Sequence, residues 1–121
     1  MLELKPGVRV TAMSPQIALA IQVAVGAWQD YWLKHQEQHF WDGKYGPLVV
    51  TSINDGTHSR TSLHHVGHAC DIRTKTLPSA TAKRWFAAEV RRRLGVDYDV
   101  ILEKLGQPQE HVHIEMQPKS R

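Results

Sequence analysis

The segment His111–Met116, HVHIEM, places two imidazoles and a carboxylate at alternate positions between apolar residues. Successive side chains of a β-strand point to opposite faces, so we expect His111, His113 and Glu115 on one face and the apolar residues in the core. Imidazole nitrogens bind metals and also transfer protons in catalysis. This segment alone also fits an ordinary polar face of an edge strand, so a metal site needs a second group of ligands.

A second segment, residues 62–72, places His64 and Asp71 seven residues apart, with Gly67 between them to permit a tight reversal. An aspartate is costly to bury unless it is hydrogen-bonded or bound to a cation. Strand alternation directs Asp71 and Cys70 to opposite faces. Cys70 is therefore predicted to be a small apolar core residue and not a metal ligand.

Together the two segments supply the donor types of a catalytic zinc ion. Such an ion usually has three protein ligands, often two histidines and one carboxylate, and water in the fourth position. A structural zinc ion more often has four ligands rich in cysteine, and this chain has a single cysteine. The ligand types therefore favour an open zinc site.

The pattern SxHxxGxAxD from Ser62 to Asp71, followed by HxH at 111–113, resembles the signature of the zinc D-Ala-D-Ala carboxypeptidase family. That family includes vancomycin-resistance dipeptidases and phage endolysins that cut L-alanyl-D-glutamate bonds in peptidoglycan. The longer string from Asp55 to His64 also resembles the zinc-site segment of hedgehog signalling domains. The resemblance is specific over 51–71 and 98–115 and weak over the first helix.

The resemblance implies that zinc is bound by His64, Asp71 and His113. The family's general base is an acidic residue three positions before the last ligand, which here is Glu110. In the hedgehog-like pattern a glutamate ends the preceding strand instead, and the matching residue is Glu103. Spacing favours Glu110 as the base, whereas strand alternation opposes it, so Glu103 stays as the alternative base.

Other polar residues are predicted to surround the metal. His111 shares the strand face of the last ligand and is predicted to stabilise a tetrahedral oxyanion. His58 belongs to the hedgehog-like string and is predicted to line the pocket. The family commonly has an arginine after the central strand, where this chain has residues 53–55, IND. The nearest arginines that could replace it are Arg60 and Arg73.

The elements that position these residues follow from apolar periodicity and from Ser, Gly and Pro signals. They are helices from Ser14 to about His35 and from Ser79 to Gly95, a loop over 36–46, and strands over 47–53, 69–73, 98–103 and 111–117. The last two strands are predicted to pair as an antiparallel hairpin. The pattern predicts one α+β domain over residues 1–121, with a small antiparallel sheet and flanking helices. The resemblance implies the fold of hedgehog domains and D-Ala-D-Ala peptidases.

Composition limits the possible disulfides, partners and location of the protein. One cysteine excludes an intramolecular disulfide, and the net charge of +3 suits an anionic partner. The N-terminal residues lack the order of a signal peptide, and the apolar stretch 17–28 is too short to span a bilayer. We therefore expect a monomer without membrane insertion that stays in the cytoplasm where it is made. This suits a phage lysis enzyme that waits for a membrane pore, and a virion component almost as well.

The expected activity is hydrolysis of a peptide bond in bacterial peptidoglycan stem peptides, with Zn²⁺ as cofactor, and the bond that is cut stays open. One rival is a zinc-binding module of hedgehog-like fold without catalysis. A second rival is a nucleic-acid-binding domain based on the basic run Arg91–Arg93. No recognition motif or pattern of stacking aromatic residues accompanies that run, so no nucleic-acid partner is expected.

Overall fold

Two helices and five strands make up the part of the chain that a computed structural model describes, residues 2–10, 13–39, 46–54 and 69–118. In chain order they are β1 (Leu2–Leu4), α1 (Pro15–His39), β2 (Leu48–Asn54), β3 (Ala69–Arg73), α2 (Ala80–Leu94), β4 (Tyr98–Glu103) and β5 (His111–Met116). The strands form one sheet in the order β1-β2-β3-β5-β4. β1 runs parallel to β2, and every other pair is antiparallel. The predicted α+β architecture is confirmed.

Helix α1 begins as predicted, because the Ser14 hydroxyl accepts a hydrogen bond from the backbone N–H of Ile17 at 3.1 Å. It ends later than predicted. The backbone leaves helical geometry at His35 (φ −117°, ψ 16°) and then resumes a helix to His39. Residues 36–39 contain two glutamines and a glutamate, which are good helix formers, so the predicted loop is wrong over its first four residues. No helix in the described ranges has the length and apolar character needed to cross a membrane.

Helix α2 has both predicted ends. The Ser79 hydroxyl accepts a hydrogen bond from the N–H of Ala82 at 3.1 Å, which caps the first turn. At the other end Gly95 adopts φ +86°, and its N–H donates to the carbonyl of Arg91. Glycine adopts this left-handed conformation without the steric cost that a side chain would bring, so the helix stops there.

The sheet has two unlike faces. One face packs against the helices and contributes fully buried residues such as Val50, Ile72 and Ile114. From the helices come large aromatic residues, with Trp28 and Phe86 in edge-to-face contact at 5.3 Å between ring centroids. Cys70 is 1% exposed within this core, which confirms its predicted orientation.

Candidate metal centre on the open face of the sheet

Strand register brings the predicted polar residues together on the face away from the helices. Asp71 of β3 pairs with His113 of β5, and Arg73 pairs with His111 two residues along the strands. On the other side of β5, Glu103 at the end of β4 pairs with His111. Since the core residues alternate with these positions in each strand, their side chains share the opposite face.

Asp71 and His113 are in direct contact. Nδ1 of His113 lies 2.8 Å from Oδ1 of Asp71, and the Ser52 hydroxyl donates to Oδ2 of the same carboxylate at 2.9 Å. Two atoms bound at about 2.1 Å to one tetrahedral zinc ion lie about 3.4 Å apart. The nitrogen and oxygen donors therefore need to separate by only about half an ångström to share such an ion.

The electrostatics of this pair are those of an ion pair. Burial alone would raise the pKa of Asp71, but hydrogen bonds from His113 and Ser52 and the nearby imidazoles outweigh it and hold that pKa below its usual value. The hydrogen bond to Asp71 is the main cause that raises the pKa of His113 to about 9, against the opposing effect of burial. At neutral pH and without a metal, a protonated His113 therefore bridges two carboxylates.

The second of those carboxylates belongs to Glu115, whose Oε1 lies 3.1 Å from Nε2 of His113. Metal-binding histidines usually donate their other ring N–H to a carboxylate, a carbonyl or water, which fixes the tautomer and the ring orientation. With Nε2–H donated to Glu115, the atom of His113 left for a metal is Nδ1, and Nδ1 is the atom that faces Asp71. Asp71 and His113 are therefore two donors of the types that zinc binds, and a zinc site here needs at least one further ligand.

His111 lies beside this pair, as predicted, with 18% of its side chain exposed. Its Nδ1 is 2.7 Å from the carbonyl oxygen of Gln109, which can only accept, so Nδ1 carries a proton. Its Nε2 lies 3.4 Å from Oε1 of Glu103 and 3.7 Å from Oδ1 of Asp71. Nε2 of His111 thus faces the carboxylates of both Glu103 and Asp71, next to the ligand pair.

The structure does not bring Glu110, the base favoured on spacing, into this cluster. Its side chain is 1% exposed, and its carboxylate accepts hydrogen bonds from the Thr74 hydroxyl at 2.6 Å, Lys83 Nζ at 2.9 Å and the N–H of Gly106 at 2.9 Å. Burial raises the pKa of Glu110, but these partners outweigh burial and lower it. The physical reason is strand alternation, which turns the residue before His111 towards α2. The geometry favours Glu103.

Three predicted residues, His58, Arg60 and His64, lie between positions 55 and 68, outside the described residues. Within the described residues no group of three or more His, Cys, Asp and Glu side chains is arranged to hold a metal ion. The structure brings together two of the three predicted ligands, Asp71 and His113. His64 stays a prediction for the third ligand.

Ser52 is a site residue that sequence reasoning did not identify. It reaches Asp71 because the register of β2 against β3 shifts between Val50 and Ser52, which pairs Ser52 with Asp71. A register shift of this kind depends on contacts between strands and leaves no local signal in the strand's own residues. The role of Glu115 had a signal, since it lies two residues after His113 on the same strand face.

Comparisons of the chain with protein-family models, with curated proteins and with solved structures found no match.

Proposed function

We propose that the protein is a zinc-dependent peptidase that hydrolyses a peptide bond in bacterial peptidoglycan stem peptides. The observation that supports this most is the hydrogen-bonded chain from Asp71 through His113 to Glu115. It pairs one carboxylate and one imidazole nitrogen at near-ligand spacing and supplies the outer carboxylate that metal-binding histidines use. The resemblance of residues 62–71 and 111–113 to the signature of D-Ala-D-Ala carboxypeptidases and endolysins supports the substrate class.

The residues that would hold the ion are Asp71, His113 and, by the sequence pattern, His64. When bound, zinc acts as a Lewis acid that polarises the scissile carbonyl and lowers the pKa of water. An open site is consistent with the exposure of the pair, since 27% of each side chain of Asp71 and His113 is reached by solvent. A peptide laid across this face would therefore have access to both donors.

We assign the general base to Glu103. Its side chain is 43% exposed, and among the described residues its ion-pair partner is His111, so its carboxylate is available to a water molecule. It would accept a proton from the attacking water and deliver it to the leaving amine. Glu110, by contrast, has three protein donors on its carboxylate and no free approach to the site.

His111 is assigned to the developing oxyanion. Its Nδ1 is fixed by the Gln109 carbonyl, so the ring has a defined orientation and Nε2 points at the open face near Asp71 and Glu103. Because Nδ1–H is directed at the Gln109 carbonyl, Nε2 can donate to an oxyanion beside these residues only when the ring is doubly protonated.

The test is digestion of purified peptidoglycan by zinc-loaded protein, with mass analysis of the released fragments. We expect fragments whose masses correspond to addition of one water across a stem-peptide bond, and none from Asp71→Asn. Zinc binding at one ion per chain without any fragment would contradict the peptidase and indicate a non-catalytic zinc-binding module.

A further inference from the structure

A basic groove of about 300 Å³ opens directly beside His111. Its walls come from the segment after β1, from β2 and β3, and from the loop before β5. Three cationic side chains line it, those of Lys5, Arg73 and Lys75, together with Thr51. We call this the basic groove. Its position at the edge of the candidate metal centre makes it a natural place for part of a bound peptide.

The positive charge of the basic groove is not neutralised by the described residues. No carboxylate among them forms an ion pair with Lys5, Arg73 or Lys75. Glu110 also borders the groove, but its carboxylate is bound by Thr74, Lys83 and Gly106 and points into the core. The neighbouring groove shares Arg73 and Lys75 and adds one acidic side chain, that of Glu3, which is exposed.

The distance to the metal centre fits a short piece of peptide. Arg73 follows Asp71 by two positions on the same strand face, a separation of about 7 Å along the strand. Arg73 also pairs with His111 across β3 and β5. An extended peptide advances roughly 3.5 Å per residue, so a group held at Arg73 lies within about three residues of a bond at the metal centre.

We propose that the basic groove binds a carboxylate of the substrate, so that the enzyme selects a peptide bond within about three residues of a free carboxylate. The planar fork of an arginine matches a carboxylate with two parallel hydrogen bonds, and Lys75 and Lys5 add point charges. This inference rests on the proposed peptidase function and gives it a substrate class, anionic stem peptides. The carboxylate is either the peptide's C-terminus or the free α-carboxyl group of its glutamyl residue.

The experiment uses a synthetic stem pentapeptide in three forms: the free acid, the C-terminal amide and the amide of its glutamyl α-carboxyl group. Zinc-loaded wild type should show a KM at least roughly tenfold higher for the one form that lacks the recognised carboxylate. A raised KM for the C-terminal amide would identify the C-terminus as the recognised carboxylate, and a raised KM for the other amide would identify the glutamyl α-carboxyl group. In the double variant Arg73→Gln/Lys75→Gln, KM for the free acid should rise by a similar factor, with kcat within about threefold.

The matched control is Arg84→Gln, an exposed cation of α2 on the other side of the sheet, which should leave all KM values unchanged. Equal KM values for the three forms in wild type, or an unchanged KM in the double variant, would overturn the basic groove as a carboxylate site. A double variant that lowers kcat equally for all forms would overturn it as well.

The same peptides separate failure of this inference from failure of the proposed function. If wild type hydrolyses none of them, calorimetric titration of each form into wild type and the double variant still tests the groove. Tighter binding of the free acid than of one amide, lost in the double variant, supports the carboxylate site without catalysis. Equal affinities, or no measurable binding, overturn it.

Discussion

At Asp71 and His113, a hydrogen bond occupies the atoms that we propose as metal ligands. Nδ1 of His113 needs a proton to bridge to Asp71 and must lose it to bind a cation. The Ser52 hydroxyl is hydrogen-bonded to Asp71, and the Glu115 carboxylate is hydrogen-bonded to His113. This arrangement keeps the pair ordered without a metal and leaves the donors aligned for one.

Removal of either donor should abolish tight zinc binding. We expect Asp71→Asn and His113→Ala to retain less than about a tenth of the zinc bound by wild type after dialysis, because a two-ligand site binds zinc weakly. Elemental analysis measures the content per chain. Cys70→Ala is the control and should keep one zinc, since Cys70 is buried in the core. Full zinc content in either ligand variant would refute the assignment.

Replacement of the base should separate catalysis from metal binding. Glu103→Gln is expected to keep one zinc per chain and to lower kcat by roughly a hundredfold or more, because it removes the proton acceptor and leaves the ligands intact. Steady-state hydrolysis of a stem peptide measures this. Wild-type kcat in Glu103→Gln would show that another group accepts the proton.

Metal-free protein should lose stability as the pH rises through the titration of His113. Its folded pKa of about 9 lies above the unfolded value of about 6.5, so the stabilisation is complete below pH 6.5 and is lost as the pH rises through 9. With chelator present, the free energy of unfolding should fall by about 1–3 kcal/mol between pH 6 and pH 10. Urea unfolding at several pH values measures it, and a wild-type curve as flat as that of His113→Gln would contradict the prediction.

Among the elements, the β4–β5 hairpin pairs with β3 along β5 and is also connected to α2 through Glu110. Its carboxylate joins the hairpin loop at Gly106, the segment after β3 at Thr74, and α2 at Lys83. The same hairpin presents Glu103 and His111 on its other face. Burial of Glu110 therefore positions the strand ends that carry the proposed base and oxyanion donor.

Glu110→Gln should accordingly lower the free energy of unfolding. Removing the charge leaves Lys83 without its anion in a mostly buried site, at a cost of about 2–4 kcal/mol in the free energy of unfolding. Zinc content should be unchanged. Glu103→Gln, at a partly exposed position, should change stability by less than about 0.5 kcal/mol. Chemical denaturation of both variants tests the contrast, which fails if Glu110→Gln is as stable as wild type.

Local signals in the sequence predicted most elements because periodicity and caps are local. Alternation in β5 assigned His111 and His113 to one face, and Ser79 and Gly95 marked the ends of α2. Strand β1 was missed, since three exposed residues pair with β2 in a parallel register that no local pattern indicates. The choice between the two glutamates also depended on Lys83, a partner on a distant helix that spacing cannot reveal.

At the scale of the whole molecule, the apolar core and the candidate site lie on opposite faces of the sheet. The helices cover one face with apolar and aromatic side chains, and the described ionisable residues of β3 and β5 line the other. The basic groove borders that open face, in a chain of net charge +3. A face lined with ionisable side chains and bordered by cations suits an extended anionic peptide better than a compact apolar ligand.

The most direct test of a zinc peptidase is to titrate zinc into metal-free protein and to measure hydrolysis of peptidoglycan stem peptides at each step. We predict that turnover is absent without metal, rises in proportion to added zinc and stops rising at one ion per chain. Asp71→Asn should stay inactive throughout. Full turnover in the metal-free protein, or no turnover with one zinc bound, would contradict the account.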